Sequence, residues 1–388
     1  MMRKLKILMV FLSYRGDGLS KTGGDTYFIE ISRRLLNKGH NISILTTPNG
    51  VKLLKNEGLK AEVHIVDIPL INKFLFIFDF LWRTFICLFK IRPPDFSDFD
   101  LIVSISPLFP DIIITAYLSL MIKVKPAIYH HGFVSPLMLS KYNLPLRLLA
   151  VSIQRKFLTW ILKKTSFEIF ALPVAKKELL NLGIPKHMIF DMVNGVDTKF
   201  IDQISVRDQL FDGIFLGSLI PGKGIFDLPD IWKDVTKVFP KARIAIVGTG
   251  TSKCINKMKF EVMKRNIEEN FVFSGFVSKA EKKYTLLKSS KVFVFPSYSE
   301  VLPISVMEAM YCGLPCVVYS LEAYNIFKNG LIRVTPGDKK EFAKTIIKLL
   351  SNDELRLKIG NRAKQIMSHF DWNGIAMAHE NALMKILK

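Results

Sequence analysis

The sequence predicts an α/β protein made of two domains, each built around a parallel sheet. Three observations predict it. Short apolar runs of strand length alternate throughout with longer segments of helical periodicity. The alternation halts at the polar, turn-forming string Asp191-Met192-Val193-Asn194-Gly195-Val196-Asp197 and then restarts. The length, 388 residues, exceeds what one ordinary core organises and suits two.

In the first half the expected strands are Lys6–Phe11, Asn41–Thr46, Glu62–Val66, Leu101–Ile105, Ala127–His130 and Phe167–Ala171. Amphipathic segments such as Thr26–Lys38 and Leu146–Lys164 separate them, as crossovers between parallel strands require. The second half repeats the pattern at Gly213–Gly217, Arg243–Val247, Phe271–Ser274, Lys291–Phe295 and Cys316–Tyr319, followed by helices at Lys339–Leu350 and Leu355–Ser368. A last segment, Asp371–Leu387, is long enough to return to the first domain. The expected division is therefore 1–193, 194–370 and a terminal helix over 371–388.

Composition narrows the function classes. Four cysteines are no disulfide framework, and Cys312 and Cys316 lack a second Cys/His pair to complete a zinc site, so no metal is expected. The net charge of +21 is spread out: 27 Lys+Arg against 15 Asp+Glu through residue 200, and 28 against 19 after it. Residues 112–167 hold eight basic residues and no acidic one. Such a field draws nucleotides or an anionic membrane surface, and no nucleic-acid motif accompanies it. The basic start Met1-Met2-Arg3-Lys4 precedes an apolar run of only Ile7–Leu12, which reads as a first strand rather than a signal peptide. Phe74–Ile91 is strongly apolar, but Asp79, Arg83, Cys87 and Lys90 form one polar stripe along it. It is too interrupted to span a bilayer and suits either a core helix or an interfacial one. Ile112–Ile122 is shorter and reads as a core helix. Asp95, Asp98 and Asp100 read as a solvated connection.

The stretch from Phe293 to Met310 carries the most chemistry. A buried strand ends at Pro296, a loop carries Glu300, and a helix starts near Pro303 with Glu308 one to two turns in. That unit sets the loop at the carboxyl end of the sheet, where open α/β folds bind ligands, and aims free helix N–H groups at an anion. Two carboxylates flanking such an anion suit hydroxyls on either side of a pyrophosphate, on a sugar and a ribose. Leu216-Gly217-Ser218-Leu219-Ile220-Pro221-Gly222-Lys223-Gly224 also joins a strand to a helix, and Lys223 offers a point charge to a phosphate. Gly23 and Gly24, between strand one and helix one, let backbone amides approach an anion. His131 ends the strand run Tyr129-His130-His131-Gly132-Phe133 at the same edge.

Glu300 and Glu308, seven residues between them, with the continuation Ala309-Met310-Tyr311-Cys312-Gly313-Leu314-Pro315, resemble the motif of the retaining glycosyltransferases of family 4. The resemblance implies the GT-B fold, two Rossmann-like domains facing each other across a cleft, with the C-terminal helix packing back on the N-terminal domain. It implies an acceptor-binding first domain and a second domain that binds the nucleotide sugar. It assigns Glu300 to donor-sugar hydroxyls, Glu308 to the ribose, Lys223 to the departing phosphate and His131 to the sugar or acceptor region. Gly23, Gly24, Val301, Leu302 and Pro303 fall at the donor, as do Phe276 and Val277 after Gly275, where the family's backbone pairs with the base. Ser218 is also placed at the donor, and two of these donor positions depart from the pattern: Ser218 stands where an arginine is common, and Val301 where many members have glycine. Asn194-Gly195-Val196-Asp197 and Phe370-Asp371-Trp372 match family strings at the domain junction and the last helix.

The expected function is thus retaining, metal-independent, hexosyltransferase-type transfer from a UDP- or GDP-sugar to a hydroxyl acceptor, lipid-linked or a glycan, with no cofactor. The expected place is cytoplasmic, peripheral on the inner face of the cell membrane. The alternatives are a non-catalytic scaffold or membrane-surface binder of the same fold, a sugar phosphorylase, or a nucleotide-sugar epimerase.

Overall fold

The computed structural model describes residues 3–14, 16, 18, 21–68, 76–133, 144–206 and 208–387. Two compact units form, Met1–Asn194 with Trp372–Lys388, and Gly195–Asp371. The described residues build a parallel sheet in each.

The first sheet comprises β1 (Lys6–Phe11), β2 (Asn41–Thr46), β3 (Glu62–Ile65), β4 (Leu101–Ser104), β5 (Lys125–His130), β6 (Glu168–Ala171) and β7 (Ile189–Asp191). Its order is β3-β2-β1-β4-β5-β6-β7. Between the strands run α1 (Gly23–Asn37), α2 (Pro48–Asn56), α3 (Phe76–Lys90), α4 (Phe109–Ile122), α5 (Leu144–Lys164) and α6 (Pro173–Asn181). β1 and β4 read as unbroken apolar runs because helices cover both faces of the sheet, and nearly all their side chains are buried.

The second unit opens with α7 (Thr198–Gln203) and continues β8 (Phe211–Leu216), α8 (Leu228–Val238), β9 (Ile244–Val247), α9 (Ser252–Met263), β10 (Phe271–Gly275), α10 (Ala280–Lys288) and β11 (Ser290–Phe295). α11 (Ile304–Tyr311), β12 (Cys316–Tyr319), β13 (Ile332–Val334), α12 (Lys339–Leu350) and α13 (Asp353–Met367) complete it. Here the order is β10-β9-β8-β11-β12-β13. In each sheet the chain reverses its direction of travel once, between β1 and β4 and between β8 and β11. Outside the carboxyl ends of such a pair lies the crevice in which doubly wound sheets hold ligands.

The chain ends in α14 (Trp372–Ile386), which packs on α1 within the first unit. Its His379 lies buried between Tyr27 and Tyr129, 3.2 Å and 2.9 Å from their hydroxyls. Burial pushes this imidazole down to about 3, so it is neutral and offers one N–H and one acceptor nitrogen to the two phenols. Glu380, one residue on, bonds Lys38 and, at 2.9 Å, His40.

Three expectations need correction. α1 starts three residues before Thr26, because Thr22 and Asp25 close a capping box that draws Gly23 and Gly24 into the first turn. β7 and β13 went unpredicted, each being a three-residue edge strand too short to show a period. The connection at 95–100 is not merely solvated, since Asp100 pairs with Arg3 and accepts from the Lys6 amide at 2.8 Å. Of the apolar stretch from Phe74, the first two residues lie outside the described residues. The remainder forms α3, whose Asp79–Arg83–Cys87 stripe is buried. Met1 and Met2 also lie outside them. No helix among the described residues is long and apolar enough to cross a membrane.

Candidate functional site

In the second unit, three loops meet at the carboxyl edge. Residues 217–224 follow β8, 248–250 follow β9, and 296–303 follow β11. Their backbones approach so closely that only glycine fits. A Cβ on Gly224, whose φ is +69°, would lie 1.8 Å from the Pro296 carbonyl oxygen; one on Gly248, at φ +141°, would lie 1.9 Å from that of Gly217. Ser297 Oγ and the Tyr298 amide both donate to the Gly222 carbonyl, at 3.2 Å and 2.9 Å, and fasten the first loop to the third. Behind them Asp227 accepts from the hydroxyls of Tyr298 and Tyr319, at 2.6 Å and 2.7 Å.

This lacing fixes the charged side chains. Lys223, ending a 3-10 turn over Pro221–Lys223, places Nζ 2.6 Å from Glu300 Oε1. The pair joins residues 77 apart in sequence across the switch between β8 and β11. Glu308 lies in the second turn of α11, largely buried. Its Oε1 accepts from Lys283 Nζ at 2.5 Å and from the Tyr284 hydroxyl at 2.8 Å. Both carboxylates are therefore met by a lysine, and both lie in a setting able to hold hydroxyls and phosphate together.

Lys283 and Tyr284 escaped the sequence reading. They come from the first turns of α10, and Lys282-Lys283-Tyr284 has the look of an ordinary basic helix start. Only the fold shows that α10 sets them against a glutamate 24 to 25 positions away. Val301 adopts no positive φ; among the described residues the non-glycine ones that do are Lys123, Ser166, Asn266 and Lys328. The loop conformation thus does not demand glycine at that point. Leu302 and Pro303 are buried, and Pro303 caps α11 one residue before its first turn. Ser218 and Phe276 are exposed beyond the ends of β8 and β10, and Val277 is half-buried. None of these three shares a described contact with the Lys223–Glu300 pair.

The first unit gathers its own polar groups at the carboxyl edge. Gly24 faces the His131 ring so closely that a Cβ there would sit 3.0 Å from Cδ2 and 3.2 Å from Nε2. His131 stacks edge-on against Tyr27, with ring centroids 5.7 Å apart, and its Nε2 is buried with no hydrogen-bond partner among the described residues. Burial pushes His131 down to about 4, so the ring is neutral at physiological pH. Across the β1–β4 switch, Asp111 in the first turn of α4 accepts from the amides of Leu12 and Ser13 at 2.7 Å and 2.9 Å. It also accepts from the hydroxyls of Ser13 and Ser106. Burial raises this carboxyl to about 6 against those hydrogen bonds. Asp111 thereby anchors the start of the loop that leads to Gly23.

Comparison with known proteins completes the picture. The profile of the glycosyl transferases group 1 matches residues 197–366, and that of glycosyltransferase family 4 matches residues 21–200. An uncharacterized glycosyltransferase of Methanocaldococcus jannaschii is 23% identical over 395 residues, covering 96% of each chain. The alpha-galactosylglucosyldiacylglycerol synthase of Streptococcus pneumoniae is 23% identical over 211 residues, which is 51% of this chain and only 55% of that protein. Among solved structures, Anabaena HepE in complex with UDP-glucose superposes with a TM-score of 0.78 at 16% identity, over 98% of this chain and 100% of its own. That likeness is one of fold.

Proposed function

The chain belongs to the family 4 (group 1) glycosyltransferases and has the GT-B fold, and from that premise we propose that it transfers a sugar with retention from a nucleoside-diphosphate sugar. The observation that carries the proposal is the Lys223–Glu300 pair, held at 2.6 Å by two loops that meet at a switch point.

Before donor binding, ammonium and carboxylate satisfy each other. A nucleotide sugar separates their tasks. Lys223 turns to the leaving phosphate, where negative charge grows as the glycosidic C–O bond breaks. Glu300 turns to the sugar hydroxyls, and Glu308 accepts from the ribose. The backbone amides at Val301 and Leu302 add donors near the diphosphate, while Phe276 and Val277 border the base. Pro303 and Ser218 complete the rim. In the first unit, the Gly23 and Gly24 amides and the neutral His131 ring are the groups we assign to substrate, His131 as a hydrogen-bonding group rather than a cation.

The acceptor hydroxyl attacks the anomeric carbon on the face the phosphate leaves, and its proton passes to a phosphate oxygen. The anomeric C–O bond to phosphate breaks, the one to the acceptor forms, and configuration is kept without a metal. UDP is the favoured nucleotide, because HepE of the same fold holds UDP-glucose. A lipid-linked acceptor at a membrane surface is favoured because the S. pneumoniae relative is named for a diacylglycerol glycolipid, and the excess of lysine and arginine suits that surface.

The test is a panel of UDP- and GDP-sugars turned over by the purified chain in excess chelator, with the anomeric configuration of the first product read by NMR. Retention with one donor class is expected. Inversion, or phosphorolysis or epimerisation in place of transfer, contradicts the proposal.

A further inference from the structure

Helix α3 is amphipathic in the wrong sense for water. Two of its three charged residues turn inward: Asp79 and Arg83 are 0% and 2% exposed and bond at 2.9 Å, while Lys90 at its end is exposed. Arg83 also donates to the carbonyls of Leu12 and Tyr14 beyond β1. Several of its large apolar residues turn outward, with Phe85 at 52% and Phe89 at 73% exposure, while Phe80 is buried. Leu81 and Leu88 are exposed with them, so that positions 81, 85, 88 and 89 form one continuous stripe. An aqueous helix would show the reverse, because a buried ion pair forfeits hydration while outward phenyl rings gain nothing.

A second helix bears a matching face. On α5, Leu149, Ile153, Lys156, Trp160, Lys163 and Lys164 are all exposed and fall at helical spacing along one side. That mixture of aliphatic, indole and ammonium groups is what a headgroup boundary accommodates. α4 links the two helices. It packs against α3, and its Phe109 ring meets Phe157 of α5 at 5.0 Å.

Charge decides the occupant. The acidic residues of α3, α4 and α5 are Asp79 and Asp111, and both are fully buried. Every exposed ionisable group on the described residues of these helices is therefore basic. Around them, Arg155 pairs with Glu178 of α6, and Lys90 bonds the Asp67 carbonyl. A second copy of a +21 chain would set lysine against lysine on this face.

We propose that the outer faces of α3 and α5 dock on an anionic lipid bilayer, with Phe85, Phe89 and Trp160 entering the acyl boundary and the α5 lysines meeting phosphate headgroups. The inference deepens the membrane reading of the transfer site by naming the surface that holds it there, and its test needs no turnover.

The full chain is sedimented with vesicles of phosphatidylglycerol mixed into phosphatidylcholine, and with phosphatidylcholine alone, at low and at high salt. Binding to the mixed vesicles at least about tenfold tighter than to the neutral ones is expected, weakening with salt. Two variants, Phe85→Ser/Phe89→Ser and Lys156→Glu/Lys163→Glu/Lys164→Glu, should each bind about tenfold more weakly or worse, with wild-type unfolding midpoints and UDP affinity. The proposal is overturned if the wild type ignores anionic vesicles at low salt, or if either variant binds as the wild type does. It is equally overturned if the wild type is a stable dimer that the phenylalanine variant separates. Vesicle binding by a chain that turns over no nucleotide sugar would leave docking standing and remove the transfer reading.

Discussion

Replacing Lys223 by methionine separates a catalytic role from a structural one. The substitution keeps the apolar stem and removes the charge. On the stability side it leaves Glu300, whose side chain is 6% exposed, without its cation. Breaking a fully buried pair costs about 3–5 kcal/mol. Lys223 is 22% exposed, however, so water reaches the site and the cost falls to about 1–2 kcal/mol. That amounts to a drop of about 2–8 °C in the midpoint of a domain this size, and the fold survives at 25 °C. On the activity side, removal of one preorganised group facing developing charge costs about 10²–10³ in kcat. The companion variant Glu300→Gln and the double variant complete the comparison. In the double variant no carboxylate is stranded, so most of the lost stability returns, while activity stays at or below that of Lys223→Met. The assay pairs donor turnover at 25 °C with thermal unfolding of all four proteins. Turnover within about threefold of wild type in Lys223→Met, or activity returning together with stability in the double variant, refutes the assignment.

Further outcomes follow from the backbone and from burial. Gly224→Ala should lower turnover by about tenfold or more, since its Cβ meets the Pro296 carbonyl at 1.8 Å and moving that loop moves Lys223. Gly313→Ala is the control, at φ +78° with nothing within 4 Å, and should lose about 1 kcal/mol of stability and no activity; equal activity losses would deny the loop contact its role. Asp111 is raised from 3.8 to about 6 by burial, so between those pH values the folded chain holds a proton the unfolded chain has released. Its contribution is full below the lower value and declines by about 3 kcal/mol as pH rises through the upper one. Asp111→Asn keeps an acceptor for the Leu12 and Ser13 amides and should flatten that slope in chemical denaturation across pH 4 to 7. A variant clearly less stable than wild type at neutral pH would contradict it.

Much of this fold is legible as runs of apolar residues. Buried parallel strands such as Lys6–Phe11 and Cys316–Tyr319 need no alternation, and their ends fall where the run ends. Three-residue edge strands leave no such mark, which is why Ile189–Asp191 and Ile332–Val334 surface only in the structure. In α3 the spacing of Asp79, Arg83 and Cys87 revealed a stripe, but periodicity cannot say which side of a helix faces inward. The ordinary expectation, charge outward, is reversed there by the carbonyls of Leu12 and Tyr14 that Arg83 reaches. The acidic pair was visible because its members share one strand–loop–helix unit. Its partners differed in kind: Lys223 was singled out by its glycines, whereas Lys283 and Tyr284 had no local signal, because what they touch is set by the packing of α10 beside α11.

The central claim is that the edge of the second sheet holds a nucleoside diphosphate through groups on separate loops. Calorimetric titration of the full chain with UDP and with GDP addresses it most directly. One saturable site is expected for UDP, weakened at least about tenfold in both Lys223→Met and Glu308→Ala. Heat from neither nucleotide, or affinity unchanged in both variants, would contradict the claim.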